Sequence, residues 1–300
     1  MRTATLTRIG DRELTVRNLG KLLWPEAGIS KGDLIAYYVA VAPALLPHLK
    51  DRPLVLTRYP DGIGGEGFFQ KDAPENLPGW VRTYAHQHAS RIIHYVLADE
   101  PATLAFLANL GVVEIHPWTS RWQHPHWPDF ALIDLDPAEG ATFAHVREVA
   151  NLVHETLDRL SLFHLVKGSG ATGLHIYVPA APGHTFDDTQ AFAQAIGQLL
   201  LRVYPERVTL ERVVARRTGK VYVDFLQNRP SATLAGVYSA RPHPGAPVSA
   251  PLTWAEVQME PPLRFNVRTL PGRLAAVGDL FAPLLHVQQD LKPALRQLSL

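Results

Sequence analysis

Three aspartates have a spacing and a setting that suit metal-ion chemistry. Asp134 and Asp136 stand two residues apart in the apolar stretch FALIDLDP, and Asp224 interrupts a second apolar stretch, VYVDF. Residues two apart on a strand share one face of a sheet. Two carboxylates on one face repel each other, and burying either one without a partner is costly. We therefore expect a positive group between them.

Three converging carboxylates form a hard oxygen-ligand site, which suits magnesium or manganese and not zinc. Such sites commonly hold two ions about 4 Å apart for in-line phosphoryl displacement, one activating the attacking oxygen and one steadying the leaving pyrophosphate. The pattern thus predicts that Asp134, Asp136 and Asp224 are both metal ligands and catalytic residues. A pair of aspartates that merely caps a loop is the open structural alternative.

The segment KGSGATGLHIY offers ligands for an anion. Its glycines free backbone amides to approach a phosphate, and its polar side chains add a hydroxyl, a charge and a ring nitrogen. The residues concerned are Lys167, Gly168, Ser169, Gly170, Gly173 and His175. The segment is not a Walker loop, because no G-K-[ST] opens a helix. An ordinary glycine-rich hairpin with a structural histidine is the alternative.

The elements that must position these residues follow from periodicity and from capping signals. After the double-aspartate strand, residues 143–160 have helical periodicity and residues 163–178 read as a hairpin with a long turn. The clearest helix opens at Thr185, with Asp188 three residues on. Hairpins mixed with helices favour an α+β fold over a doubly wound parallel sheet.

Two further segments have an expected placement. Ser30 and Asp33 mark the start of an apolar helix, which Pro43 should bend or end. The proline-rich stretch RPHPGAPVSAPLTW is expected on the surface, because its prolines cannot donate to a sheet ladder.

Composition bounds the class of protein. The chain has 300 residues, 46% apolar and 19% charged, which indicates a globular protein. It has no cysteine, which excludes disulfides, thiolate zinc sites and cysteine nucleophiles. No signal peptide is recognised and no apolar run is expected to approach the ~18 residues that span a bilayer. The net charge is +1, and the basic run over residues 202–229 is most simply a solvated face.

Taken together, DLD, SGATGLH and VYVDFLQN resemble, in this order, the three motifs of the archaeo-eukaryotic primase superfamily. NLGKLLWPEAGISKGDLIAYY, DRPLVLTRYPDGIGGEGFFQKDAP and YVLADEPATLAFLANLGVVEIHPWTSR resemble the polymerase domain of the bacterial ligase D family, as does ARPHPGAPVSAPLTW. The resemblance runs from about residue 18 to 291 and implies an α+β, primase-like catalytic core with mixed and antiparallel sheets and an N-terminal α/β module. It implies a single domain over 1–300, with a DNA-phosphate-binding part over about 1–80 and a catalytic core over about 81–300.

The resemblance also implies an activity. It implies a metal-dependent nucleotidyltransferase, a primase-polymerase that adds nucleotides to DNA ends and gaps during non-homologous end joining and prefers NTPs to dNTPs. Two Mn²⁺ or Mg²⁺ ions, DNA ends with a 5′-phosphate, Ku and an ATP-dependent DNA ligase are the implied cofactors and partners. A cytoplasmic, nucleoid-associated location without a membrane follows. A non-catalytic DNA-end-binding module and a metal-dependent phosphodiesterase are the alternatives.

Residue by residue, the resemblance assigns Asp134, Asp136 and Asp224 to metal binding and catalysis. The residues predicted to bind the nucleotide are Lys167, Ser169, Gly170, Thr172, His175, Arg217, Lys220 and Arg241. Those that match a pocket for the 5′-phosphate of the downstream strand are Asn18, Lys21 and Lys31. Phe68 and Phe69 match an aromatic pair that stacks on the template, and a loop that packs both rings inside is the alternative. His116 matches a recurrent histidine whose role is left open.

Three positions depart from the family pattern. Thr172 and Thr57 stand where a lysine is common, and His243 stands where an arginine is frequent. A histidine is mostly neutral at pH 7. The acids are therefore intact while the anion-binding shell is thinner, which predicts a working enzyme with altered nucleotide affinity or preference.

Overall fold

The computed structural model describes residues 4–260 and 262–298, which divide into two compact units. The described residues of the first unit are 4–118, 233–250 and 264–279. Those of the second unit are 119–232, 251–260, 262–263 and 280–298. The division near residue 80 that the sequence suggests stays a prediction.

The first unit contains a five-stranded sheet and two main helices. Its elements are β1 (Ala4–Ile9), β2 (Arg12–Arg17), β3 (Leu22–Trp24), β4 (Ile29–Ser30), α1 (Lys31–Leu49), β5 (Leu54–Arg58), β6 (Phe68–Gln70), β7 (Thr83–Gln87), β8 (Ile92–Val96), α2 (Pro101–Asn109), β9 (Val112–Pro117) and α6 (Leu270–Val277). Strand β5 pairs with β6, with β9 and, at Leu54, with β8, which pairs in turn with β7. Strands β1 and β2 form a separate antiparallel pair.

Helix α1 begins as predicted, at a capping box. Ser30 Oγ accepts from the Asp33 amide at 3.1 Å, and Asp33 Oδ2 accepts from the Ser30 amide at 2.7 Å. The helix continues through Pro43 and Pro47 to Leu49, so Pro43 does not end it. By length and composition α1 could cross a membrane, contrary to expectation, but half of that apolar window is buried inside the protein. This burial is typical of the core helix of a globular protein.

The second unit is built on a six-stranded sheet. Its elements are β10 (Phe130–Pro137), α3 (Phe143–Arg159), β11 (Leu165–Gly168), β12 (Leu174–Pro179), α4 (Phe186–Val203), β13 (Val208–Thr209), β14 (Val221–Asp224), β15 (Pro251–Leu252), α5 (Trp254–Val257) and α7 (Lys292–Leu298). The strand order is β13-β14-β10-β12-β11-β15, with β13 and β14 parallel and the other pairs antiparallel. Helices α3 and α4 both pack on β10. The predicted α+β class is confirmed.

Most local predictions in the second unit are confirmed. The hairpin is β11 with β12, and α4 begins at a capping box between Thr185 and Asp188. The predicted surface position of the proline-rich segment is wrong for its second half, because Ser249, Ala250 and the short strand β15 are buried. Pro251 still lies on the outermost strand of its sheet, where a missing amide donor does least harm.

Candidate active site

A row of charged side chains crosses the sheet of the second unit. Antiparallel pairing places Asp134 on β10 opposite Asp224 on β14 and also opposite His175 on β12. The same pairing places His175 opposite Lys167 on β11. Residues directly opposite each other on neighbouring antiparallel strands share a face. The row therefore reads Asp224, Asp134, His175, Lys167, and Asp136 lies on the same face because it is two residues from Asp134.

The buried half of this row is a chain of three side chains in contact. Lys167 is fully buried, and its Nζ lies 2.6 Å from His175 Nδ1. An amino group donates to a ring nitrogen in this contact, so the imidazole proton is assigned to Nε2. That Nε2 lies 3.4 Å from Asp134 Oδ1, and both side chains are buried. The chain thus fixes the tautomer of His175 and orients the carboxylate of Asp134.

The open half of the row faces a cavity. Asp136 is exposed and Asp224 is half-buried. The carboxylate of Asp224 accepts from the Leu226 amide at 2.8 Å and from Gln227 Nε2 at 3.1 Å. The cavity measures about 270 Å³, and its lining residues include Asp136, Asp224, Arg212, Arg217 and Arg229. Acids and guanidinium groups therefore border one small space.

Arg217 is held rigidly at this cavity. Its guanidinium carbon lies 3.6 Å from the ring centroid of Tyr222, and its Nε and Nη2 donate to the carbonyls of Glu211 and Arg212 at 2.6 and 2.7 Å. Burial, and then the charge of Asp224 and the hydrogen bond to it, raise the pKa of Tyr222 to about 12. Tyr222 therefore stays a neutral phenol that donates to Asp224 at 3.2 Å and presents its face to Arg217.

The donor set of this site fits divalent cations. It consists of two carboxylates on β10 and one on the neighbouring strand β14. Asp136 and Asp224 line the same cavity. Oxygen donors of this kind match magnesium and manganese. Asp134, Asp136 and Asp224 are the residues that would hold such ions.

The glycine-rich turn is closed on itself by Ser169. The buried Ser169 Oγ accepts from the amides of Ala171 and Gly173 at 3.1 and 3.0 Å, so Gly173, one of the glycines expected to bind phosphate, has its amide engaged within the turn. Gly170 has a φ of +76°, in the left-handed region. A Cβ at Gly173 would lie 2.3 Å from the Leu135 carbonyl oxygen, so only glycine permits the close approach of this turn to β10. Thr172 is exposed at the tip.

The other two predicted nucleotide ligands, Lys220 and Arg241, each contact a protein group. Among the residues that the structure describes, Lys220 is not one of those that line the cavity. Its Nζ donates to the Pro205 carbonyl at 2.7 Å. Arg241 belongs to the first unit, where its Nε lies 2.7 Å from Glu114 Oε1.

Glu114 is the centre of a buried polar cluster in the first unit. Its Oε2 lies 3.4 Å from His116 Nε2, which contacts Thr57 Oγ1 at 2.8 Å. Burial alone would raise the pKa of Glu114, but the hydrogen bond and charge of His116 and the charge of Arg241 outweigh burial, and the pKa lies below its ordinary value. His243 lies near Arg241. Partial burial, and then the charge of Arg241, lower the pKa of His243, so this histidine carries no positive charge at neutral pH.

The three residues predicted to bind a 5′-phosphate are joined by their backbones. The Lys21 amide donates to the Asn18 carbonyl at 3.0 Å, and the Lys31 amide donates to the Lys21 carbonyl at 2.8 Å. Asn18 and Lys31 line a cavity of about 440 Å³. Lys31 Nζ donates to Asn109, whereas Lys21 Nζ lies 2.6 Å from Asp61. Burial, and then the charge of Lys21, lower the pKa of Lys31.

The aromatic pair lies on the outermost strand β6. Phe68 and Phe69 are both exposed, Phe69 by 63%, so neither ring is in the core. The guanidinium of Arg58 lies 5.2 Å from the Phe68 ring, and the Phe69 ring lies 5.8 Å from that of His116. The alternative in which a loop packs both rings inside is therefore wrong.

Sequence reasoning missed Arg212 and Arg229. Both line the cavity beside Asp136 and Asp224. Their signal was the excess of basic residues over 202–229, which was interpreted as a solvated face. The prediction is correct about exposure, because Arg212, Arg216 and Arg229 are all exposed, but it does not indicate which of them line a cavity.

Comparison with known proteins adds a family to this geometry. The family model described as "LigD, primase-polymerase domain" matches residues 30–281. The multifunctional non-homologous end joining protein LigD of Mycolicibacterium smegmatis is 32% identical over 270 residues, which are 89% of this chain and 35% of that protein. The bifunctional LigD of Bacillus subtilis is 32% identical over 295 residues, 96% of this chain and 47% of that protein. The chain thus spans between about a third and a half of these relatives.

A solved structure is similar to this chain over most of the length of both. It is the polymerase domain of Mycobacterium tuberculosis ligase D in complex with DNA. The TM-score is 0.85 at 30% sequence identity, and the match covers 92% of this chain and 99% of that one.

Proposed function

Because this chain belongs to the family of LigD primase-polymerase domains, which are nucleotidyltransferases, we propose that it adds nucleotides to DNA ends and gaps during non-homologous end joining. The observation that carries this proposal is the row Asp224–Asp134–His175–Lys167 beside a cavity with three arginines. Acids that attract cations and guanidinium groups that attract phosphate are what a nucleoside triphosphate and its metal ions need.

The residues of the row have separate roles. Asp134, Asp136 and Asp224 would hold two Mn²⁺ or Mg²⁺ ions. Such ions, when bound, stabilise charge on the triphosphate and lower the pKa of an attacking hydroxyl. His175, held by Lys167, keeps Asp134 in one orientation, which reduces the reorganisation needed when the reactants assemble.

The arginines would bind the triphosphate. Arg217 is stacked on Tyr222 and bonded to two carbonyls, so its guanidinium plane is pre-set for phosphate oxygens. Arg212 and Arg229 share the cavity and would contact the remaining oxygens. Ser169, Gly170, Thr172, Lys220 and Arg241 remain proposed nucleotide ligands on the family resemblance.

The first unit would bind the DNA. The matched structure of ligase D from Mycobacterium tuberculosis contains DNA, which supports a DNA substrate here. We propose that Asn18, Lys21 and Lys31 bind a 5′-phosphate, since a dianion would relieve the repulsion between the two lysines. The exposed rings of Phe68 and Phe69 would stack on template bases. We also propose a preference for ribonucleotides, Ku and an ATP-dependent DNA ligase as partners, and a cytoplasmic, nucleoid-associated location.

Extension of labelled DNA tests the proposal. The substrate is a one-nucleotide gap with a 5′-phosphate, supplied with NTPs or dNTPs and with Mn²⁺ or Mg²⁺. Lengthened product with NTPs favoured supports the proposal. Shortened product would indicate a phosphodiesterase. DNA binding without any product would indicate a non-catalytic end-binding module. Either result refutes polymerase activity.

A further inference from the structure

A second group of metal-binding side chains lies in the second unit. His154 and Asp158 stand four residues apart at the end of α3, and His164 immediately precedes β11. One ligand atom from each lies within 4.8 Å of the other two. His154 Nδ1 is 2.7 Å from His164 Nε2 and 3.6 Å from Asp158 Oδ2. Residues four apart on a helix point to the same side, which explains why His154 and Asp158 converge.

Both imidazoles are oriented by neighbouring groups. His164 Nδ1 donates to the Leu162 carbonyl at 2.8 Å, which directs the lone pair of Nε2 into the group. The ring of His154 stacks on Trp254 with centroids 4.0 Å apart and planes 2° apart. The His164 ring meets the edge of the same indole at 5.4 Å. These contacts order both rings, and the two nitrogens, which are 2.7 Å apart, would separate by about 0.7 Å to bind one tetrahedral ion.

The exposure of the group also suits an ion. His164 is buried and His154 is half-buried. The Asp158 side chain is 60% exposed, so one side of the group is open to water. An ion can therefore enter from solvent and retain a water ligand.

We propose that His154, Asp158 and His164 bind a borderline divalent transition metal, for which zinc is the best match. Two imidazoles, one carboxylate and a water make a four-coordinate set that zinc accepts and that magnesium does not favour. When the ion binds, His154 gives up the proton that Nδ1 donates to His164 Nε2 and takes the other neutral tautomer, with its proton on Nε2, so both ligand nitrogens offer lone pairs. The ion would join the end of α3 to the start of β11 and stabilise the second unit.

The test uses tag-free protein, with saturating Mg²⁺ present to occupy the carboxylates of the polymerase site. Calorimetric titration with Zn²⁺ should detect one site, and Zn²⁺ should raise Tm. H154Q and D158N should each weaken this binding by about tenfold or more. Titration with Co²⁺ should quench Trp254 fluorescence, and W254F should lose the quenching while it retains Zn²⁺ binding.

H124Q is the matched control, because His124 stacks on Trp127 at 5.1 Å in the same unit and belongs to a different cluster. This variant should bind Zn²⁺ like the parent protein. D158N alters an exposed side chain and is not expected to disturb folding. Absence of Zn²⁺ binding, or binding with the same stoichiometry and affinity in the parent, H154Q and D158N, would overturn the proposal.

Discussion

In the first unit the carboxylate of Glu114 lies among its own counter-charges, whereas in the second unit three aspartates share one face of a sheet. Arg241 lies 2.7 Å from Glu114 and His116 lies 3.4 Å from it. Asp134 also lies 3.4 Å from a histidine, His175, but it stands directly opposite a second carboxylate, that of Asp224. Like charges directly opposite each other destabilise a sheet. The difference separates an acid that pairs with neighbouring side chains from acids that we propose to hold a cation.

The largest expected effect comes from removing one acid of the row. D224N should lower nucleotidyl transfer by at least ~10³-fold, because it removes a metal ligand worth several kcal/mol in the transition state. The same change removes repulsion with Asp134, so Tm should stay the same or rise. Gap extension and thermal unfolding measure the two effects.

D129N is the control for this prediction. Asp129 is an aspartate of the same unit that pairs with Arg121 at 3.0 Å, outside the row. It should retain activity. A D224N protein that remains active, or that loses activity only because it unfolds, would contradict the contrast between the two units.

A smaller effect is expected at Lys167, which is buried behind His175. K167M should lower kcat by about 10–100-fold, the usual effect of an outer-shell partner, and leave the KM for nucleotide nearly unchanged. Steady-state kinetics separate this positioning role from the predicted direct contact with the triphosphate. A raised KM at unchanged kcat would support direct contact instead.

The proposed phosphate pocket of the first unit should respond by about tenfold. K31Q removes a charge-assisted hydrogen bond worth roughly 1.5 kcal/mol, at the low end of the usual range, so it should weaken binding of a 5′-phosphorylated gap. Binding of the 5′-hydroxyl gap should not change. Because the pKa of Lys31 is lowered, binding of the phosphorylated gap should weaken as the pH rises through that pKa.

Fluorescence anisotropy with the two DNAs measures this preference. K50Q, at the other end of α1, is the matched control and should bind like the parent protein. Equal losses on both DNAs would show that Lys31 contributes general charge and no phosphate recognition.

The smallest expected effect is on stability. E114Q should lower the free energy of unfolding by about 1 kcal/mol at pH 7. The pKa of Glu114 lies below the ordinary 4.5, so its ionised form contributes fully above pH 4.5 and less as the pH falls through the folded-state pKa. Urea unfolding of both proteins should therefore give curves that converge in acid. If the difference in the free energy of unfolding between the two proteins stays constant across this pH range, the ionisation of Glu114 does not contribute to the pH dependence of stability.

Local signals were sufficient for much of the fold and part of the site. The capping boxes at Ser30 and Thr185 involve residues three apart, so neighbouring positions alone reveal them. The exposure of Phe69 was not predictable from its type, because an aromatic residue is equally suited to a core. The position of Arg212 and Arg229 in the cavity lining was not predictable for a related reason, since a charge count does not reveal which side chains line a cavity.

The spacing of Asp134 and Asp136 alone predicts that they share a face, because a strand repeats every two residues. The motifs that carry the family resemblance are likewise visible in the residues alone. The pairing of Asp224 with Asp134, and the position of Lys167 behind His175, could be known only from the folded sheet. The register of strands joined by long connections depends on packing across the whole sheet, and a shift of one residue would turn each of these side chains to the other face.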